Sequence, residues 1–417
     1  MAASLAAPDA IPVPSSPAPT RPRLDSVDLL RGLVMVIMAL DHTRDFFSEV
    51  RFSPTDLAQT YPALFFTRWI THFCAPAFSL LAGTGIYLAS RRSTPAQLTS
   101  FLWKRGLWLI VLEWTVVSFG WTFIPIPSPM LFVIWVLGAS MIVMSALVRL
   151  PVRWVGAIGV LLIAGHNLAD GVSAAGFGRY RLVWMVLHEP GFYPLAAEGR
   201  FGTFVLYTLV PWVGVMAAGY ALGTVFLEPP DKRRRMLVLL GAAMTALFVI
   251  LRATNFYGNP AHGFTGSAGD FAVQDTAAKT LIQFLNVEKY PPSLQYLLMT
   301  LGPAFLALAG FDRLNFASRA GAFARAIVVF GRVPLFYYVL HLFLIHTLAV
   351  VAGGAAGMPI GWLLHGGFGG GPPPPGYGFS LPIVYVAWMV AILILYFPCR
   401  WFADIKARRR EWWLSYL

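Results

Sequence analysis

Charge is what this chain has least of. Asp, Glu, Lys and Arg make up 12% of its 417 residues, about half the share found in a soluble domain. That scarcity excludes an ordinary soluble fold. Acidic residues are the scarcer sign, 19 against 31 Lys and Arg. In a soluble protein such an excess would invite a nucleic-acid partner. In a chain 57% hydrophobic with mean hydropathy +0.66, it marks the cytoplasmic joins of a multi-pass membrane protein, with no nucleic acid implied. Cysteine is nearly absent. Cys74 and Cys399 both lie in apolar runs and give neither a disulfide framework nor a metal-ligand spacing. No internal repeat announces an inverted-repeat transporter. The first 25 residues, rich in Ala, Pro and Ser, lack the apolar core of a cleavable signal. They read as a disordered tail, which leaves targeting to the first span.

Long apolar runs are what the chain does have. A spanning helix needs about 20 of them in a row, and ten stretches qualify: 27–47, 63–90, 99–118, 130–149, 151–168, 201–227, 235–254, 293–311, 324–353 and 380–402. EPPDKRRR at 228–235 and the Gly/Pro-rich 365–378 are loops. With the N-terminus inside, the inner joins carry Arg91, Arg92, Arg149, Arg153, Lys232 to Arg235, Arg313, Arg319 and Arg325, while the outer joins at 119–129 and 354–379 carry no Lys or Arg. This asymmetry predicts an all-α bundle of ten membrane spans with both termini cytoplasmic. The expected division is a tail at 1–25, a membrane domain at 26–405 and a basic tail at 406–417.

The first span is bracketed by titratable groups. In RGLVMVIMALDH, residues 31–42, an arginine and an Asp–His pair enclose nine apolar positions. Asp28, Arg31, Met35, Met38, His42 and Asp45 fall on one helical stripe, with Arg31 and His42 about 16 Å apart along the axis. Ionisable groups at membrane depth face the protein interior or a wet cavity. The plainer alternative makes Asp28–Arg31 a helix-end pair and His42 a satisfied core histidine. Further along lie Arg68 and His72 one turn apart, Lys104 and Arg105 at the edge of a span, Glu113 deeper, and Arg332, Tyr338 and His341 in GRVPLFYYVLHLFLIH. Each alone is explained by packing or by headgroup anchoring. Together they imply a buried polar cavity. A haem would need paired histidines on facing helices, but His341 and His346 point to different faces. Proton-coupled transport and acyl transfer both remain open, the latter needing a general base and cationic groups for an anionic donor.

The residues RLDSVDLLRGLVMVIMALDHTRDFF, RWITHFCAPAFSLLAGTG, FLWKRGLWLIVLE, YTLVPWVGVMAAGYALG, VEKYPPSLQYLLMTLGP and GRVPLFYYVLHLFLIH occur in an order that resembles bacterial relatives of lysosomal heparan-α-glucosaminide N-acetyltransferase. Arg31 and His42, with ten residues between, are also similar to the Arg-X10-His pattern of membrane O-acyltransferases that modify surface sugars. The resemblance implies a membrane acyltransferase that uses acyl-CoA, with acetyl-CoA the expected donor, and no permanently bound cofactor or metal. Arg31 would organise the donor, Lys104 and Arg105 would meet the CoA, and His42 would act as base beside Asp41 or Asp45. Where His42 stands, the lysosomal enzyme has Asn, and its histidine in the first luminal loop has no counterpart in SEVRFSPTDLAQTYPAL. His188 in the outer loop is therefore a second candidate base, against its reading as a surface histidine. The acceptor would be an amine or hydroxyl of an extracytoplasmic sugar, and homo-oligomerisation stays open. The alternative function is a proton-coupled transporter or flippase-like protein.

Overall fold

The computed structural model describes residues 25–124, 128–196, 201–261, 263–264, 269–314, 319–365, 373–409 and 411–415. The expected N-terminal tail thus lies, apart from Asp25, outside the described residues, as do 366–372 of the Gly/Pro-rich loop. The helices in chain order are α1 (Asp25–Phe47), α2 (Pro62–Trp69), α3 (Cys74–Ser90), α4 (Pro95–Leu112), α5 (Ser118–Thr122), α6 (Val133–Leu147), α7 (Val152–Gly165) and α8 (Arg181–Leu187). They continue as α9 (Leu209–Leu222), α10 (Pro230–Thr254), α11 (Ala277–Leu285), α12 (Leu294–Phe311), α13 (Arg319–Arg332), α14 (Pro334–Ala355), α15 (Gly361–Leu364) and α16 (Leu381–Arg408). Among the described residues seven helical runs are long and apolar enough to cross a membrane: Pro62–Ser90, Val152–Ala169, Leu209–Leu227, Pro230–Thr254, Leu294–Phe311, Pro334–Ala355 and Leu381–Arg408. The chain is a multi-pass membrane protein.

Helix starts follow local chemistry. Thr94 closes a capping box with Gln97 ahead of α4, with Pro95 in the first turn. Ser293 accepts the Tyr296 N–H at the start of α12. The stretch expected as one span at 324–353 is two helices. Val333, with φ −131° and ψ 51°, cannot continue α13, because the residue before a proline is pushed out of helical geometry and Pro334 has no N–H to donate. The helical bundle also carries one small sheet. β1 (Met130–Leu131), β2 (Gly191–Pro194) and β3 (Gly202–Val205) form a small sheet in the order β1-β3-β2. β3 runs parallel to β1 and antiparallel to β2, with Phe204 opposite both Met130 and Phe192. The first residues of two apolar runs read as spans are therefore strands, since a short apolar run without clear periodicity suits either state.

α1 lies at the centre, against α13, α14, α16, α3 and α12. Its Val34, Met35 and Ala39 are buried at 2% exposure or less. The outer faces of α7, α10 and α16 are apolar and exposed, as at Leu161, Ile250 and Phe397, which suits contact with lipid. Close approach is concentrated where side chains vanish. A Cβ on Gly83 of α3 would overlap the Met216 carbonyl of α9, and one on Gly219 would overlap the Leu80 carbonyl. This is the small-residue helix crossing common in membranes. Gly32 and Gly331 play the same part between α1 and α13.

Candidate active site at the end of the first helix

His42 lies in the last turns of α1, half-buried, with its ring stacked on that of His341 from α14 at 4.9 Å between centroids. Its Nδ1 is 2.7 Å from His341 Nε2, and His341 Nδ1 is 3.1 Å from the Tyr337 carbonyl. A carbonyl only accepts, so His341 Nδ1 carries the proton. In the neutral ring His341 Nε2 is then an acceptor, and His42 Nδ1 must donate to it. The lone pair of His42 is left on Nε2, which makes no hydrogen bond among the described residues. Trp121 meets the ring edge-on at 4.7 Å, and Tyr338 does so at 6.3 Å. Two helices and an aromatic wall thus hold an unprotonated nitrogen in place.

His42 lines a cavity of about 40 Å³ together with Asp41, Thr71, Cys74 and Tyr207. A volume of this order holds a few waters. The Cys74 thiol is directed at the Val34 carbonyl at 3.3 Å. Asp41 does not orient His42. Successive helical residues point about 100° apart, and Asp41 turns instead to Arg68, whose Nη1 donates to its Oδ2 at 2.5 Å, and to Arg44 at 2.9 Å. Arg44 also donates to Asp45 at 2.6 Å. The two carboxylates and two guanidinium groups neutralise one another beside the cavity.

Of the residues expected in the polar cavity, the structure brings together His42, Asp41, Arg68, Tyr338 and His341, with Asp45 one step away through Arg44. It places the others elsewhere, except for His72, which lies at the border of this charged group. His72 is buried against Tyr296, at 5.4 Å between rings. Glu113 is fully buried, and its Oε2 accepts the N–H groups of Ile134 and Trp135, both at 2.9 Å. It caps the N-terminus of α6, where unpaired donors and the helix dipole favour an anion. Arg31 is bound at the other end of α1 by Asp28 at 3.0 Å and the Gly331 carbonyl at 3.2 Å. Arg332 lies at that same end, 3.8 Å from Asp25. Lys104 is exposed on α4 among Trp103, Leu107 and Trp108, with Arg105 half-buried beside it. α4 leans mainly on α6, whereas α1 leans on α13. His188 is with His166 and Asp170 in the loop after α7, apart from His42.

Sequence reasoning missed Lys289 and Tyr207 as site residues. Lys289 is 5% exposed and close enough for its charge to act on Asp41, His42 and His72. Its ammonium also sits over the Tyr290 ring at 5.1 Å. Burial would raise the Tyr290 phenol, but Lys289 and Arg68 outweigh it and hold the phenol below its ordinary value. Tyr290 is hydrogen-bonded to Tyr207, which lines the cavity. The available signal in the sequence was the lysine of VEKYPPS, four residues ahead of the apolar run that starts at 293.

These features define a class: a multi-pass helical membrane protein with a paired-histidine site at a small polar cavity, where a proton can be taken up. The family described as heparan-alpha-glucosaminide N-acetyltransferase, catalytic, matches residues 23–256, more than half of the chain, and the chain belongs to that family. The match holds His42, Asp41 and Arg68, while Lys289 and His341 lie beyond it. No curated protein sequence matches the chain.

Proposed function

We propose that the protein transfers an acetyl group from acetyl-CoA on the cytoplasmic side to an amine or hydroxyl of a sugar on the outer side of the bacterial inner membrane. Family membership supports the reaction class. The observation that carries the residue assignment is the hydrogen-bond chain Tyr337–His341–His42, which leaves the lone pair of His42 on Nε2, in a residue that lines the cavity. The acceptor's nitrogen or oxygen attacks the thioester carbonyl, His42 Nε2 takes its proton, and the CoA thiolate departs. His341 shares the positive charge through the bond to Nδ1. Lys289 and Arg68, the cations beside this site, are assigned to the negative charge that develops on the carbonyl oxygen, an electrostatic role of the kind that lowers such barriers. Asp41 and Asp45 act through Arg68 and Arg44 by holding them in place.

The CoA phosphates are assigned to Lys104 and Arg105 of α4 on the cytoplasmic side, while Arg31, held by Asp28 and the Gly331 carbonyl against α13, keeps a structural place on α1. The thioester would then cross about 16 Å on the pantetheine arm. Ten spans with both termini inside fit this arrangement. The seven apolar crossings are joined by α1, by the continuous rod of α4 and α5, and by the shorter α6. His188 takes no part in this reading.

The test is a folded His42→Gln protein that still binds CoA, assayed with acetyl-CoA and a terminal glucosaminide. General-base assistance is worth about 10²–10⁴ in rate, so turnover should fall by that order. His341→Ala should fall less, since the base survives without its orienting partner. Near-parental turnover by His42→Gln would remove His42 from the mechanism.

A further inference from the structure

A second group of titratable side chains lies outside this site. His166 ends α7 in the turn His166–Ala169, Asp170 follows it, and His188 caps α8. His166 and Asp170 are four residues apart, so they share one face of the turn. Their ligand atoms and that of His188 all lie within 4.8 Å of one another, and His188 Nε2 is 3.1 Å from Asp170 Oδ1. His166 and His188 are each 5% exposed. Among the described residues neither ring nitrogen of His166 makes a hydrogen bond, although the Pro292 carbonyl lies near one of them. With the Pro292 carbonyl beside one nitrogen, the other nitrogen of this buried imidazole, close to a carboxylate and a second imidazole, lacks a partner of the right chemistry.

We propose that His166, Asp170 and His188 bind a divalent transition-metal ion of the zinc type. Two imidazoles and one carboxylate are a borderline-soft set that such ions favour over magnesium or calcium, and they leave a fourth position for water. Zinc-ligand distances of about 2.0–2.2 Å put neighbouring ligand atoms ~3.3 Å apart, close to the His188–Asp170 separation. The widest pair, at most 4.8 Å apart, closes with a movement of no more than about 1.5 Å relative to that geometry, within reach of a ring rotation. The surroundings are those of a ligand shell. Asn167 Nδ2 donates to the other Asp170 oxygen at 2.8 Å, and its own Oδ1 accepts the Leu294 N–H at 2.9 Å. The Pro292 carbonyl is placed to take the second ring proton of His166, as ligating histidines commonly require. The ion would clamp the loop after α7 beside the segment 292–294, which begins three residues after Lys289. This goes beyond the acetyl-transfer reading and does not depend on it.

The experiment uses tag-free, full-length protein in detergent, stripped by chelator and titrated with Co²⁺ and then Zn²⁺. One equivalent of Co²⁺ should give the visible spectrum of a low-coordinate nitrogen–oxygen site, bleached by Zn²⁺, and Zn²⁺ should raise the unfolding temperature. His188→Ala and His166→Gln should abolish the spectrum while CoA binding persists. Asp170→Asn, which keeps the hydrogen bonding, should weaken the affinity by at least the 10–100-fold typical of a second-shell loss. X-ray absorption on the zinc-loaded parent should report two imidazoles, a readout that needs no variant. A parent that takes up no Co²⁺, a metal shell without imidazole, or folded variants that bind as tightly as the parent would each overturn the assignment.

Discussion

His42 shows how far one residue can be read without its neighbours in space. Its place on the stripe with Arg31 follows from helical spacing. Its partner does not, because His341 is 299 positions away and nothing local points to it. The adjacent carboxylate looked like the natural orienter, yet adjacency on a helix means facing another way, and Asp41 went to Arg68. Glu113 is a similar case. Its buried charge in an apolar span resembled a functional acid, whereas it serves the first turn of α6. Glu113→Ala should leave the Ile134 and Trp135 donors buried and unpaired. The expected loss is about 2–4 kcal/mol, at roughly 1–3 kcal/mol for each unmatched group, less whatever the lost carboxylate desolvation returns. Thermal unfolding in detergent measures it. Glu113→Gln retains an acceptor and should recover most of that loss, along with activity. An alanine variant as stable as the parent would show that the cap contributes nothing.

At the scale of elements, apolar length located the helices well, since every expected span contains a helix. Ends and interruptions were harder. The break at Val333 was written in its following proline, but the apolar residues on both sides outweighed it. Likewise β1 and β3 arise from runs that continue straight into α6 and α9, where periodicity is too short to separate strand from helix. Packing partners were legible only in part, because a glycine in an apolar run does not name the helix it meets. The crossing of α3 and α9 permits a direct test. Gly219→Ala puts a methyl group into the Leu80 carbonyl, which is backbone and cannot rotate aside. Overpacking of this sort costs about 1–3 kcal/mol, read as a lower unfolding temperature. Gly310→Ala, where no neighbouring atom is met, is the control and should be neutral or slightly stabilising. Equal effects at the two positions would mean that the close crossing is not what holds these helices together.

For the whole molecule, the distribution of basic residues remains the argument for sidedness. Arg233 and Asp312 join α10 to α12 at 2.5 Å on the same end as Ser26 and Arg31. His42, Lys289 and the metal-type cluster belong to the other. A reporter fused after Arg235 should therefore register as cytoplasmic and one after Pro375 as external, in a paired phosphatase and fluorescent-protein assay. Both fusions on one side would remove the ten-span arrangement and the cross-membrane reaction with it.

α1 is fastened at both extremities. Gly32 seats it against α13 at one end. At the other, the Tyr377 hydroxyl donates to the Phe46 carbonyl at 2.6 Å and the Phe379 N–H to that of Phe47 at 2.7 Å. Between these moorings the number of residues is a phase as well as a length. One residue inserted or deleted between Arg31 and His42 would swing the imidazole about 100° around the axis, away from His341, with no free end to unwind. Natural variation in this lineage should accordingly exchange the apolar letters of that interval, Gly32 and Asp41 apart, while never altering its count, and should spend its gaps in the stretch that follows Phe47.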